Sequence, residues 1–178
     1  MTQKYFLLVI IMGILIEMGA YGQICYRMPT VKDFKLAQIM GNWYPQEIAS
    51  EIEVTKRCVY YVVRSDDKPC NATITIDRFW DNGKNDTFKM YQINNTSEFR
   101  IDWLGKIRRN WLIAMDYDSW SLWYICYSEN HDNSAVVIST RESRRNETVI
   151  NEAKKAMKNI KLNSIYSKMK EIDRSNCE

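Results

Sequence analysis

From Trp43 to Thr140 the chain reads as short apolar runs broken by polar turns. Segments 58–63, 73–76, 88–93, 99–103, 111–115, 122–126 and 135–138 are rich in β-branched and aromatic residues, and several alternate with a period of two. With the segment opening at Trp43 they make eight strands. Asn82-Gly83 sits between two of them, a residue pair suited to a tight hairpin because both central positions need positive φ. Gly105 falls in a later connection, and Gly41 opens the first strand beside a tryptophan. Connections this short join antiparallel neighbours, since a parallel crossover needs a dozen residues or more. The expected fold is all-β, an eight-stranded antiparallel up-and-down barrel. Closure removes the exposed edges and leaves room for one small ligand.

After Asn146 the period changes. Val149, Ile150, Ala153, Met157 and Ile160 recur at helical spacing, and Lys154, Lys155, Lys158 and Lys161 occupy the remaining face. Asn146 is the expected N-cap, and the helix is expected to pack outside the barrel. A second stripe, Ile165, Met169 and Ile172, suggests another helical turn or two.

The N-terminus has a different character. Lys4 precedes an unbroken apolar run from Tyr5 to Ile16, followed by the small residues Gly19, Ala20 and Gly22. That is the layout of a secretory signal peptide over residues 1–22, leaving one domain over residues 23–178. The run is too short for a spanning helix, and no later run approaches it. The expected localisation is secreted and extracellular. Charged residues make up 26% and hydrophobic ones 46%, a folding composition. The net charge of +3 is weak and interspersed, so nucleic acid is not an expected partner.

His131 is the single histidine, which removes His-ligated metal clusters and leaves a hydrolase at most one imidazole. It falls between the last two strands, where a solvated loop residue is expected; no metal or cofactor is implied. Cys25, Cys58, Cys70, Cys126 and Cys177 contain no C-x-x-C pair, and secretion makes disulfides the default with one thiol left over. Counting alone leaves the pairing open. Glycosylation sequons begin at Asn71, Asn85, Asn94, Asn95 and Asn146, with Asn94 and Asn95 overlapping.

Three short motifs occur in order. Gly41-Asn42-Trp43-Tyr44 follows Phe34 and the 36–40 turn; Met115-Asp116-Tyr117 precedes Trp120 to Cys126; Ser139-Thr140-Arg141 closes the last strand. Together they resemble the three lipocalin motifs over essentially the whole chain after residue 22. The cysteines resemble those of the apolipoprotein D-like subgroup, which includes the insect bilin-binding proteins and insecticyanins. Met115 and Trp120 stand where the family usually has threonine and tyrosine, both at the closed end.

The resemblance implies the bridges Cys25–Cys126 and Cys58–Cys177, with Cys70 unpaired and available to another chain. It gives Gly41, Trp43, Asp116, Tyr117 and Arg141 structural roles, with Arg141 stacked on Trp43. Family parity, counted inward from Arg141, implies a cavity lined by Tyr61, Val63, Leu112, Ala114, Trp123, Ile125, Val137 and Ser139, with Ala135 on the same side. Such a surface suits a largely hydrophobic small molecule held by few hydrogen bonds.

The function this implies is a secreted, non-enzymatic carrier of a lipid, retinoid, bilin or similar ligand. A few lipocalins isomerise a bound lipid with a second-strand thiol, but the nearest counterpart, Cys58, is expected to be bridged. The alternative is a secreted interaction or inhibitor protein acting through its open-end loops. Lys106, Arg108 and Arg109, in or beside the connection between the fifth and sixth strands, are candidates for contact with a partner, a membrane headgroup or a lipoprotein.

Overall fold

The computed structural model describes residues 27–50, 57–66, 72–80, 83–103, 106–127, 134–160, 162, 165 and 167–177. The expected signal peptide, Cys25, Cys70, Asn71, Asn82, Gly105 and His131 lie outside the described residues. A 3₁₀ helix, Leu36–Ile39, leads into strands β1 (Gly41–Ser50), β2 (Tyr60–Ser65), β3 (Thr73–Phe79), β4 (Asn85–Gln92), β5 (Glu98–Trp103), β6 (Lys106–Asp116), β7 (Trp120–Cys126) and β8 (Ser134–Thr140). Helix α1 (Glu147–Asn159) and a two-residue strand β9 (Lys170–Glu171) complete the chain.

Successive strands pair antiparallel from β2 to β8, and β8 pairs with β1. The sheet closes where β1 also pairs with β2, with Gly41 opposite Val63 and Trp43 opposite Tyr61. The eight-stranded barrel read from the alternation is the fold observed. The 3₁₀ helix stands at the end of the barrel where β1 begins.

Two apolar clusters share the barrel wall. Ile39, Trp43, Val63, Ile74, Ile76, Met90, Phe99, Ile101 and Leu112 are buried in one, against which Tyr61, Phe88 and Trp123 pack. Trp111, Ile113, Leu122, Tyr124, Val136 and Ile138 point the opposite way and pack with Ala153 and Met157 of α1. The period-two pattern of each strand is what separates these sets. Asn146 caps α1, its Oδ1 accepting from the amides of Thr148 (3.1 Å) and Val149 (3.5 Å). A cap of this kind contributes about 1 kcal/mol.

The expected further turn is present, the Ile165 amide donating to the Leu162 carbonyl at 3.0 Å and the Lys168 amide to the Ile165 carbonyl at 2.9 Å, but it does not continue to Ile172. Ile165 and Met169 pack on the outer cluster, but Lys170–Glu171 is extended and pairs with Glu47 and Ile48 of β1. A register shift in β1 between Pro45 and Glu47, and the Ile172 amide donating to the Gln46 carbonyl at 2.9 Å, give the tail an edge to join. Beneath it Glu47, 4% exposed, accepts from Arg145 at 2.6 Å and Lys154 at 2.7 Å. The tail ends at a disulfide between Cys58 and Cys177, whose Cα atoms are 5.3 Å apart. Cys126 is also disulfide-bonded.

Candidate functional site

The closed end is built around one tryptophan. Gly41 adopts φ +94°, a left-handed conformation that a side chain strains, and a Cβ there would meet Arg141 Nη1 at 3.5 Å. This turn delivers Trp43 into the barrel floor, where its Nε1 donates to the Ile39 carbonyl at 2.8 Å. Arg141 lies over the indole and donates to main-chain carbonyls of the surrounding segments. Burial holds its guanidinium below the ordinary arginine pKa. Asp116 organises the β6–β7 turn, its Oδ2 accepting from Ser119 at 2.7 Å, and the Tyr117 hydroxyl accepts from the Lys35 amide at 2.8 Å. Met115 packs with the inner cluster and Trp120 with the outer one, so both departures from the family pattern fill apolar space.

Above this floor lies a cavity of about 70 Å³, lined by Ile39, Trp43, Tyr61, Val63, Ile76, Phe88, Met90, Asn110, Leu112, Ser121, Trp123, Ile125, Val137 and Ser139. Tyr61, Val63, Leu112, Trp123, Ile125, Val137 and Ser139 are thus brought together on its wall. Ala114 is not. A β-bulge between Leu112 and Ala114 adds a residue, so Leu112 stands opposite Trp123 while Ala114 stands opposite the outward Leu122. Parity flips at that point, and Ala114 packs on the helix-side cluster.

Sequence reasoning passed over Asn110, Ser121, Ile76, Phe88 and Met90, and gave Trp43 a structural role alone. Asn110 and Ser121 follow from the same alternation by stepping two residues from Leu112 and from Trp123. Among the lining residues none is a carboxylate, a lysine or an arginine.

Charge gathers at the mouth instead. Arg78 Nε donates to Asp86 Oδ1 at 2.8 Å, with a second contact to Asp86 Oδ2. Burial is the largest influence on Arg78 and opposes its charge, but Asp86 together with the Tyr61 and Tyr127 phenols raises its pKa. Burial also raises the Tyr127 phenol and pushes Tyr61 up to about 12, with the Arg78 charge pulling both back. Arg108 lies 5.3 Å from the Tyr127 ring centroid. Lys106, Arg108 and Arg109 belong to β6 itself, and Arg109 pairs with Glu98 at 3.1 Å on the outer wall.

No protein-family model and no curated protein sequence matches this chain. Solved structures do. Insecticyanin from the tobacco hornworm Manduca sexta superposes with a TM-score of 0.67 at 18% identity, covering 89% of this chain and 91% of that one. The chain has the lipocalin fold. The tryptamine complex of the amine-binding protein of Rhodnius prolixus gives a TM-score of 0.63 at 16% identity, over 83% of this chain and 85% of that one. Lobster apocrustacyanin A1 gives 0.62 at 16% identity, over 80% and 81%. In this lipocalin fold Trp43 and Arg141 seal one end, and the other leads to the apolar cavity.

Proposed function

We propose that the chain is a secreted, non-enzymatic carrier that binds a small, neutral, hydrophobic molecule inside the barrel, and that it belongs with the apolipoprotein D-like lipocalins. The observation that carries the reading is the dead-ended cavity, walled by Tyr61, Val63, Leu112, Trp123, Ile125, Val137 and other apolar side chains. The amine-binding protein among the neighbours was solved with tryptamine. A cationic amine suits this cavity poorly, because no lining carboxylate compensates a buried ammonium. Cys58 is bridged to Cys177, which leaves no free thiol at the position where the isomerising lipocalins carry theirs. Secretion is supported by the signal-like residues 1–22.

Volume sets a condition on this reading. The free space of about 70 Å³ is well below the roughly 300–1,000 Å³ of established ligand pockets. A bilin or retinoid therefore enters only if side chains move. Met90, long and unbranched, and Phe88 on the same strand are the residues to yield.

Fluorescence tests the proposal, since Trp43 and Trp123 both line the cavity. Titration with panels of neutral lipids, retinoids, bilins and single-ring aromatics is expected to quench or shift emission for at least one class at micromolar concentration. A flat response from folded protein across all panels refutes carriage. It would favour the second reading, a filled barrel acting on a protein partner through its open-end loops, which the small free volume supports.

A further inference from the structure

Asn110 is out of place in the cavity wall. It is 4% exposed, stands opposite Ile125 and Phe99 in the sheet, and is surrounded by apolar side chains. Its Nδ2 has only the Met90 sulfur as acceptor, at 3.2 Å, and its Oδ1 has no partner. Thioether sulfur is a weak acceptor, and a buried carbonyl oxygen left unbonded is costly. Leucine would fill the same position without either cost. A polar group kept in such a place is explained by something that enters and bonds it.

We propose that Asn110 reads a hydroxyl group on the ligand. This rests on the carrier reading and names the chemistry the carrier recognises. A hydroxyl donates to Oδ1 and accepts from Nδ2 at once, which satisfies both ends of the carboxamide. It also replaces the Met90 sulfur, so Met90 is released to swing aside and widen the cavity as the ligand arrives. An ammonium or carboxylate at this depth loses hydration without a counter-ion.

Ser121, 1% exposed at the floor, also has an unpartnered Oγ. It lies four positions along β7 from Ile125, the residue opposite Asn110, or about 13 Å along the strand. The apolar stretch between the two is where the body of the ligand lies, with its hydroxyl toward the mouth.

The test compares 2-naphthol with 2-methylnaphthalene, nearly equal in shape, by tryptophan fluorescence and calorimetry. The wild-type protein is expected to prefer the naphthol about tenfold, the effect of one well-formed buried hydrogen bond. In Asn110→Leu the preference is expected to vanish, and Asn110→Ala repeats the measurement should the leucine disturb folding. Ser121→Ala is expected to keep it. Equal wild-type affinity for the two compounds overturns the role of Asn110 while leaving carriage intact. A preference that survives both Asn110 variants, or that disappears in Ser121→Ala instead, overturns it as well. No binding of either compound, together with a flat response to the wider panels, overturns the carrier reading on which the proposal rests.

Discussion

The Arg141 guanidinium carbon lies 3.8 Å from the centroid of the Trp43 ring, and its nitrogens donate to the carbonyls of Gln38, Met40, Asn42 and Tyr117. One side chain therefore ties the 3₁₀ helix, the start of β1 and the β6–β7 turn to the barrel plug. The planar fork makes this possible, and lysine has neither the fork nor the stacking face. Arg141→Lys is expected to cost about 2 kcal/mol, a fall in Tm of roughly 4–8 °C for a domain of this size. Thermal unfolding followed by circular dichroism measures it; an unchanged Tm would show that the clamp is not energetically coupled to the floor.

The bulge in β6 separates two neighbouring positions. Leu112→Trp is expected to occupy the cavity and abolish binding of hydrophobic probes with modest loss of stability. Ala114→Trp is expected to disturb the packing under α1, lowering stability by about 1–3 kcal/mol, while the probes still bind. Equilibrium denaturation and probe titration on both variants check the assignment, and the reverse pattern contradicts it.

The Cys58–Cys177 bridge closes a loop of sequence separation 119. Chain-entropy reasoning gives such a link about 4–5 kcal/mol. Cys177→Ser is expected to lose most of that, a large part of a total usually near 5–15 kcal/mol. Urea denaturation reads the loss. A variant as stable as the parent would mean that the tail holds its place through its other contacts, among them β9 and Arg174, which donates to the Ser143 carbonyl at 3.0 Å and the Val59 carbonyl at 2.6 Å.

Tyr61 supplies a pH signature. Its phenol is pushed up to about 12 by burial, against an unfolded value near 10. Between those values the folded chain retains a proton that the unfolded chain has released. Stability linked to Tyr61 is therefore complete below pH 10 and lost as pH rises toward 12. Titration of tyrosinate absorbance is expected to show a late step that Tyr61→Phe removes. A wild-type curve complete near pH 10 would place Tyr61 in water.

The barrel, its strand count and helix α1 were legible because alternation and helical spacing report directly which face is buried. Asn146 was legible as a cap because its side chain can bond amides two and three residues on. Ala114 was not, because a bulge changes parity without changing composition: 112–114 reads Leu-Ile-Ala, three apolar residues with nothing to mark the extra one. The tail was legible as far as its turn at Ile165 and Lys168, and its extended end was hidden for a related reason. Ile165, Met169 and Ile172 carry a helical spacing, yet an open edge at Glu47 and Ile48 offers backbone pairing that no local pattern announces. Asn110 hid behind its neighbours, the third in a run of polar residues from Arg108 to Asn110 that looks like the end of a strand rather than its interior.

The two clusters that share the wall make the barrel mechanically unequal around its circumference. Strands β6, β7 and β8 are covered on the outside by α1 and on the inside by the cavity, so nearly every residue from Asn110 to Ile113 and from Ala135 to Thr140 is buried. Strand β4 instead alternates exposed and covered positions, with water against its outer face. A side chain on the helix-backed half has nowhere to go, whereas Phe88 and Met90 sit on a wall with solvent behind it. Accommodation of a guest larger than the resting space is thus a one-sided breathing of the β3–β5 half against a fixed anvil of β6–β8. On the carrier reading proposed above, ligand size follows from the compliance of the first and ligand orientation from the polar atoms of the second.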